Sequence, residues 1–295
     1  MSDGSNRGRA TVRTGRGFPL RAALAAGAML LAAHGAPALA QEHEGPHVPR
    51  ESWSFAGPFG HFDEAQLQRG FQVYKEVCSA CHSLNYVAFR NLGQPGGLGY
   101  NEAQVKTIAS EYQITDGPDA NGDMFQRPGR PSDHFPPPFP NPEAAAAANN
   151  GKAPPDLSLM AKARAVQRGF PWFVFDAVTQ YQEAGPDYIH ALLTGYKDPP
   201  ADIQVPPGLH YNPNFISGHF LAMPPPLSDG QVTYADGAPQ TVDQYSRDVA
   251  AFLMWAAEPK LEARKETGFK VMIFLIAFAV LLYLTKNKIW RNVEH

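Results

Sequence analysis

The most pronounced pattern in the chain is a continuous apolar run at residues 268–285, near the C-terminal end. Lys270 is the only charged residue in this run, and its long side chain can reach the membrane–water interface from one edge. At ~1.5 Å rise per residue, a helix of this length spans about 27 Å, which is enough for one bilayer crossing. Lys286, Lys288 and Arg291 follow the run, so the positive-inside rule predicts a cytoplasmic C-terminus. The pattern predicts a membrane anchor at 263–295 with a short cytoplasmic tail.

A shorter apolar run lies at residues 22–33. Arginines precede it, and the small-residue sequence Ala-Leu-Ala ends at Ala40. This order is typical of a secretory signal peptide, which we predict at 1–40, with a mature chain that begins near Gln41. The alternative is a retained anchor, although the apolar core is short for a spanning helix. Residues 41–262 are then predicted to form a periplasmic domain.

Between these two runs, apolar residues recur with the period of helices rather than of strands. Asp63 is a predicted N-cap for a helix that leads to Cys78, and a second well-marked helix is predicted at 241–258. Weaker helical patterns lie at 83–90, 101–112, 159–166, 170–183 and 187–193. Residues 115–150 and 197–226 are rich in proline and predict long irregular loops. The fold class is therefore predicted to be mainly α, with one C-terminal transmembrane helix.

The charge balance excludes some classes of partner. The whole chain has a net charge of −3, and removal of residues 1–40, which hold five Arg and one Asp, leaves −7. An acidic exported domain is not expected to bind nucleic acid, but it can attract a basic protein. The exposed-loop candidates for such steering are Glu102, Glu111, Asp116 and Asp123, although each can equally be a solubilising charge.

The candidate chemistry lies in the sequence Cys78-Ser79-Ala80-Cys81-His82. A C-x-x-C-H run is the attachment motif for c-type haem, in which the thiols bind the porphyrin and the histidine binds the iron. The alternatives are a redox C-x-x-C pair and half of a zinc site. A redox pair does not need the adjacent histidine, and a four-ligand zinc site needs a second cluster, whereas the chain has two cysteines in all. The motif predicts one covalently attached haem c.

An electron-transfer haem usually has a sixth ligand to its iron, commonly methionine or histidine. Met223 is the leading candidate because three prolines follow it and would hold an extended backbone. Pro155, in the sequence Pro-Pro-Asp-Leu-Ser, is a candidate wall for the proximal side of the haem, or an ordinary helix entry capped by Asp156. The other candidates for the sixth ligand are Met124, Met160, Met254, Met272, His210 and His219.

Several longer stretches resemble the cytochrome c1 family, the haem subunits of cytochrome bc1 complexes, in a bacterial form. The stretches are F-A-G-P-F-G-H-F at 55–62, L-Q-R-G-F-Q-V-Y at 67–74, R-P-G-R-P-S-D-H-F at 127–135, P-N-P-E-A-A-A-A-A-N-N-G-K-A-P-P-D-L-S at 140–158, L-L-T-G-Y at 192–196, A-M-P-P-P-L at 222–227 and F-L-M-W-A-A-E-P-K-L-E-A-R at 252–264. The resemblance covers nearly all of residues 51–290. One departure is the lack of the extra cysteine pair that some bacterial relatives carry before the methionine loop, which leaves the course of 185–220 open.

The resemblance implies haem c bound through Cys78 and Cys81, with His82 as the proximal ligand and Met223 as the distal ligand. It also implies that Arg164 pairs with a haem propionate and that Tyr188 lies nearby. The implied fold is that of a class I cytochrome c, whose first and last helices cross. Gly70 would permit that crossing.

The implied function is electron transfer within the quinol–cytochrome c oxidoreductase of a bacterial inner membrane. The chain would accept an electron from the Rieske iron–sulfur protein, pass it to a soluble periplasmic cytochrome c, and sit beside cytochrome b in a dimeric complex. It would have no catalytic site of its own. The alternatives are a haem enzyme, which needs an open sixth position, and a tethered carrier that serves an oxidase.

Overall fold

A computed structural model describes residues 48–166, 169–179 and 181–292, and it describes no side chain at 177 or 178. The predicted signal peptide at 1–40 lies outside these residues. The helices are α1 (Glu64–Glu76), α2 (Glu102–Ser110), α3 (Pro142–Ala148), α4 (Met160–Ala163), α5 (Trp172–Thr179), α6 (Ala184–Thr194), α7 (Val242–Ala257) and α8 (Leu261–Trp290). Short 3₁₀-helices span Cys78–Ala80 and Phe89–Gly93. The strands are β1 (Gln113–Asp116), β2 (Phe125–Pro128), β3 (His210–Tyr211) and β4 (Phe220–Leu221).

Helices α1 and α7 cross at the centre of the domain. Asp63 caps α1 as predicted, since its side chain accepts a hydrogen bond from the Gln66 amide at 3.0 Å. At the crossing, a Cβ atom on Gly70 would lie 2.1 Å from the Asp248 carbonyl oxygen and 2.7 Å from Phe252 Cβ. Only glycine allows the two backbones to approach this closely. The predicted crossing and the role of Gly70 in it are therefore confirmed.

An ion pair between Arg69 on α1 and the buried Asp248 on α7 stabilises the same crossing. Arg69 Nε donates to Asp248 Oδ2 at 2.9 Å, and Arg69 Nη1 donates to Asp236 Oδ2 at 2.7 Å. Burial lowers the pKa of Arg69, but its hydrogen bonds to the two carboxylates outweigh burial, and the pKa lies above its ordinary value. Asp248 is fully buried, so removing its partner would leave an uncompensated charge in the core.

The region 115–150 is more ordered than its composition predicts. Strands β1 and β2 form an antiparallel hairpin with Gln113 opposite Pro128. Asn141 caps α3, and Pro142 occupies its first turn, where a missing amide hydrogen costs nothing. Between β2 and α3, the Phe135 ring packs on Phe89 with ring centroids 4.4 Å apart. The prediction of an irregular loop was therefore wrong for these two elements.

Three shorter helices also differ from the predicted ranges. Residues 83–88 form turns rather than a continuation of the helix, and the 3₁₀-helix follows at Phe89–Gly93. The helix predicted at 159–166 is limited to α4 (Met160–Ala163), and the one predicted at 170–183 is limited to α5 (Trp172–Thr179). Tertiary hydrogen bonds to the 83–86 segment, described below, account for the first difference.

Helix α8 is the one helix in the described part of the chain that is long and apolar enough to cross a membrane. Its 30 residues begin at Leu261, so the helix starts before the apolar run and joins it to the domain without a break. Leu261 itself is buried against the domain. The mainly helical fold with a single C-terminal membrane anchor agrees with the predicted fold class.

Candidate haem-binding site

The C-x-x-C-H sequence folds into a compact turn directly after α1. The amides of Cys81 and His82 donate to the Cys78 carbonyl oxygen at 3.1 Å and 2.9 Å. This turn brings the two thiols and the imidazole to one place. Both cysteines are free, with Cys81 exposed and Cys78 half-buried. Burial, together with the neighbouring Cys81, raises the pKa of the Cys78 thiol to about 12, so the thiol is protonated at neutral pH.

The imidazole of His82 is oriented by a backbone carbonyl. Its Nδ1 lies 2.8 Å from the Pro155 oxygen. Because a carbonyl oxygen can only accept, the proton stands on Nδ1 and the lone pair on Nε2. Burial lowers the pKa of His82, while the Pro155 carbonyl partly opposes that change. The result is a neutral imidazole with Nε2 available to a metal, as in most metal sites that use histidine.

Residues 155–158 are held against 83–86 by hydrogen bonds that the spacing of the sequence does not reveal. The Asp156 carboxylate accepts from Ser83 Oγ and from the Asn85 amide, each at 2.8 Å. Burial raises the pKa of Asp156, but these bonds and those from Ser158 outweigh it, so the pKa is lowered. Helix α4 has no side-chain cap, so Asp156 does not act as the helix cap that we considered.

Met223 lies half-buried in the predicted proline-rich loop. Tyr196 Oη donates to the Met223 carbonyl oxygen at 3.1 Å, which ties this loop to the segment that follows α6. Burial, reinforced by Tyr188, raises the pKa of Tyr196, so its hydroxyl stays a donor. Sequence reasoning assigned no role to Tyr196, although the residue belongs to the L-L-T-G-Y stretch that carries the family resemblance.

Arg164 and Tyr188 form a second pair near this loop. Burial raises the pKa of Tyr188, and the positive charge of Arg164 partly opposes the increase, so the two groups lie within electrostatic range. The Ile216 amide donates to Tyr188 Oη at 3.3 Å. Arg164 is exposed and makes no ion pair among the described residues. An unpaired guanidinium beside a tyrosine is well suited to a carboxylate such as a haem propionate.

The other candidates for a sixth ligand have different surroundings. Met254 is fully buried in the core on α7, and Met124 is exposed between β1 and β2. Met160 begins α4, and Met272 lies in the apolar run of α8. His219 is exposed. Met223 is therefore the candidate that combines partial burial, a proline-stiffened backbone and a hydrogen-bonded carbonyl.

The donor set fits a covalently attached haem. Two thiols and a neutral imidazole share one turn, and other segments carry a half-buried thioether and an arginine that has no ion pair within 48–166, 169–179 and 181–292. With the helix crossing and the single anchor, these residues define a membrane-anchored c-type cytochrome, a class whose cofactor is haem c.

Comparison with known proteins gives the family. The model of the cytochrome C1 family matches residues 53–293. "Cytochrome c1" of Blastochloris viridis is 50% identical over 266 residues, which cover 90% of this chain and 93% of that protein. "Cytochrome c1, heme protein, mitochondrial" of Saccharomyces cerevisiae is 43% identical over 260 residues, which cover 88% of this chain and 77% of that protein.

A further relative is longer. "Cytochrome b/c1" of Bradyrhizobium diazoefficiens is 59% identical over 273 residues, which cover 92% of this chain but only 39% of that protein. The chain belongs to the cytochrome C1 family. It is accordingly a haem-containing electron-transfer subunit of a cytochrome bc1 complex, with a single-pass membrane anchor.

Proposed function

We propose that this chain accepts single electrons from the Rieske iron–sulfur protein and passes them to a soluble c-type cytochrome. Haem c, when bound, supplies the one-electron couple. Cys78 and Cys81 would hold it covalently, and His82 and Met223 would bind its iron. The observation that supports this proposal most directly is the hydrogen bond between His82 Nδ1 and the Pro155 carbonyl oxygen, because it directs the lone pair of Nε2 to a metal.

The surrounding residues each have a proposed part in the site. Pro155 orients His82 through its carbonyl and contributes an apolar ring to the proximal side. Tyr196 and the three prolines after Met223 restrict the backbone at Met223, which would help its thioether to remain on the iron of a bound haem and close the sixth position. Arg164 neutralises a propionate, and Tyr188 lies beside it. A closed sixth position favours a carrier over a haem enzyme.

The proposed partners follow from family membership. Cytochrome b and the Rieske protein are neighbours within a dimeric complex, and the acceptor is a soluble periplasmic cytochrome. Four acidic residues were considered for attracting this acceptor, but the negative charge of three of them is partly neutralised by an ion pair. Glu102 pairs with Lys106, Glu111 with Lys75 and Asp116 with Arg127. Of the four, Asp123 carries the charge with most freedom to attract a basic partner.

We also propose the location of the chain. Residues 1–40 direct export, 41–262 form a haem domain in the periplasm, and 263–295 anchor it in the inner membrane. The basic residues Lys286, Lys288 and Arg291, at the far end of α8, support a cytoplasmic C-terminus.

Replacement of the proposed distal ligand tests this function. Reduced-minus-oxidised absorption spectra, with and without CO, are to be recorded for the wild type, Met223→Leu and the control Met124→Leu, which changes an exposed methionine. We expect a low-spin, CO-insensitive, ascorbate-reducible wild type and control. Met223→Leu should bind CO and have a much lower reduction potential, because it loses the thioether. A wild type that already binds CO would overturn the carrier proposal.

A further inference from the structure

Helix α5 and the residue pair before it carry a cluster of large apolar side chains that face solvent. Phe170, Trp172, Phe173, Val174 and Phe175, here called the aromatic patch, are each 45% to 82% exposed. The lipid-facing side chains of α8 have similar exposed fractions, such as 48% for Val271 and 68% for Ile289. A contiguous apolar surface of this kind marks a contact with another phase or molecule.

The segment that follows the aromatic patch is held beside the start of the apolar run of α8. Gln182, shortly after α5, accepts from Arg264 Nη2 at 3.0 Å, and Arg264 lies just before the apolar run that begins at Gly268. On the opposite side, Arg50 Nη2 lies 3.6 Å from Asp176 Oδ1 within α5. The contacts of Asp176 and Gln182 therefore hold the C-terminal part of α5 and the segment after it against the domain and the start of α8, while residues 172–175 stay exposed.

A second segment brings an exposed aromatic ring to the same level. Phe59 is 67% exposed, and its ring meets that of Phe269, at the start of the apolar run, at 5.4 Å. Lys265 Nζ donates to the Phe55 carbonyl oxygen at 2.6 Å, which holds this loop against α8. Two separate parts of the domain thus contact residues 264–269, one through the ring of Phe59 and the other through Gln182 after α5.

We propose that the aromatic patch and Phe59 lie in the headgroup region of the bilayer that α8 crosses. Aromatic side chains favour this region, where an apolar ring can be buried while neighbouring polar groups stay hydrated. Lipid is the occupant that the structure favours, because residues 170–175 include no charge and the segment that follows α5 contacts Arg264, next to the apolar run of α8. α5 then fixes the tilt of the domain above the membrane.

Nitroxide labelling of the full-length, haem-loaded chain in liposomes of phosphatidylethanolamine and phosphatidylglycerol tests this proposal. Labels at Phe173→Cys, Phe170→Cys and Phe59→Cys are compared with one at Met124→Cys, which is 60% exposed on the hairpin. Collision rates with oxygen and with a water-soluble nickel complex are then measured. We expect an oxygen-to-nickel ratio at least about threefold higher at 173, 170 and 59 than at 124, because oxygen partitions into the interface.

Two results would overturn the proposal. A ratio at 173 and 170 equal to that at 124 would place the aromatic patch in water. Shielding from both reagents in the liposomes would mean that a second copy of the chain, rather than lipid, covers the patch. Neither result depends on whether Met223 binds iron. A failure of this proposal can therefore be told apart from a failure of the carrier function, which the CO spectra test.

Discussion

A single backbone carbonyl determines the chemistry of His82. Because Pro155 has no amide hydrogen, its carbonyl is the one backbone hydrogen-bonding group that it can offer, and that group lies 2.8 Å from Nδ1. The carbonyl is held in turn by the Asp156 hydrogen bonds to Ser83 and Asn85. The orientation of His82, the proposed proximal ligand, is therefore encoded in the sequence 155–158 as much as in the C-x-x-C-H turn.

The backbone of Met223, the proposed distal ligand, is tied to the hydroxyl group of Tyr196. Tyr196→Phe removes the hydroxyl that donates to the Met223 carbonyl oxygen and leaves the ring in place. A hydrogen bond of this type contributes ~1 kcal/mol, so, if Met223 is the distal ligand as proposed, we expect CO to compete with it more easily and CO binding to increase by about fivefold. CO titration of the reduced protein measures this effect.

The matched control for this variant is Tyr100→Phe. It removes the same atom from a half-buried tyrosine that packs edge-on against Phe71, with ring centroids 6.3 Å apart. We expect no change in CO binding. An equal response of both variants would mean that Tyr196 acts through general stability rather than by positioning Met223.

At the scale of elements, the close approach of α1 and α7 limits the size of the side chain that position 70 can accommodate. Gly70→Ala would gain up to about 1 kcal/mol of helix propensity. The added methyl group would collide with the Asp248 carbonyl oxygen at 2.1 Å, and backbone cannot move as a flexible side chain does. Overpacking of a core costs about 1–3 kcal/mol or more, so we expect a net loss of roughly 2 kcal/mol in the free energy of unfolding.

Chemical denaturation followed by circular dichroism measures this loss. Gly268→Ala is the control, because its Cβ would meet no atom within 4 Å on α8. We expect this substitution to be neutral or slightly stabilising. If Gly70→Ala were as well tolerated as Gly268→Ala, the close approach of the two helices would not determine stability.

Local signals explain which elements the sequence predicts. Helices α1 and α7 carry caps at Asp63 and Thr241 and apolar residues at helical spacing, so their existence could be predicted from short windows. The β1–β2 hairpin could not. It depends on Arg127, whose guanidinium contacts Asp116 on one side and Asp133 on the other, and such a contact leaves no periodic trace.

The residues of the candidate site also fall into two groups: those that a local sequence pattern predicts and those that depend on contacts between distant segments. Cys78, Cys81 and His82 form a contiguous motif, and the prolines after Met223 are visible in the sequence itself. Arg164 and Tyr188 entered only through the family resemblance, because an arginine at a helix end is usually solvated. The clamp made by Asp156 and the donor on Tyr196 each join residues at least 27 positions apart, so no short pattern could reveal them.

At the scale of the whole molecule, the domain and the membrane helix behave as one body at their junction. Glu262 Oε1 accepts from the Phe62 amide at 2.7 Å, and Lys265 contacts the Phe55 carbonyl oxygen. Glu258, at the end of α7, pairs with Lys162 on α4 at 2.5 Å and with Arg264 on α8. A carrier that must meet two partners at fixed positions benefits from such a junction, because it limits the tilt of the domain.

Glu258→Gln tests whether this junction is held by charge. The variant removes both ion pairs of a carboxylate whose side chain is only 18% exposed. We expect amide hydrogen exchange at 258–264 to rise by about tenfold at neutral pH, the equivalent of ~1.4 kcal/mol, as expected for the loss of charged hydrogen bonds. Mass spectrometry of peptic fragments measures the exchange, and Glu266→Gln, which breaks an exposed pair with Lys270, should change it little.

The pH dependence of the same exchange separates charge from packing. Burial raises the pKa of Glu258, but the hydrogen bonds from Arg264 and Lys162 outweigh it, so the pKa lies below its ordinary value of 4.5. A carboxyl with a lowered pKa stabilises the junction fully above that ordinary value and loses its effect as the pH falls through the folded-state pKa. The wild type should therefore approach the exchange rate of Glu258→Gln in acid, after correction for the intrinsic pH dependence of exchange. A difference between the two proteins that persisted at low pH would assign the junction to packing around Leu261 instead.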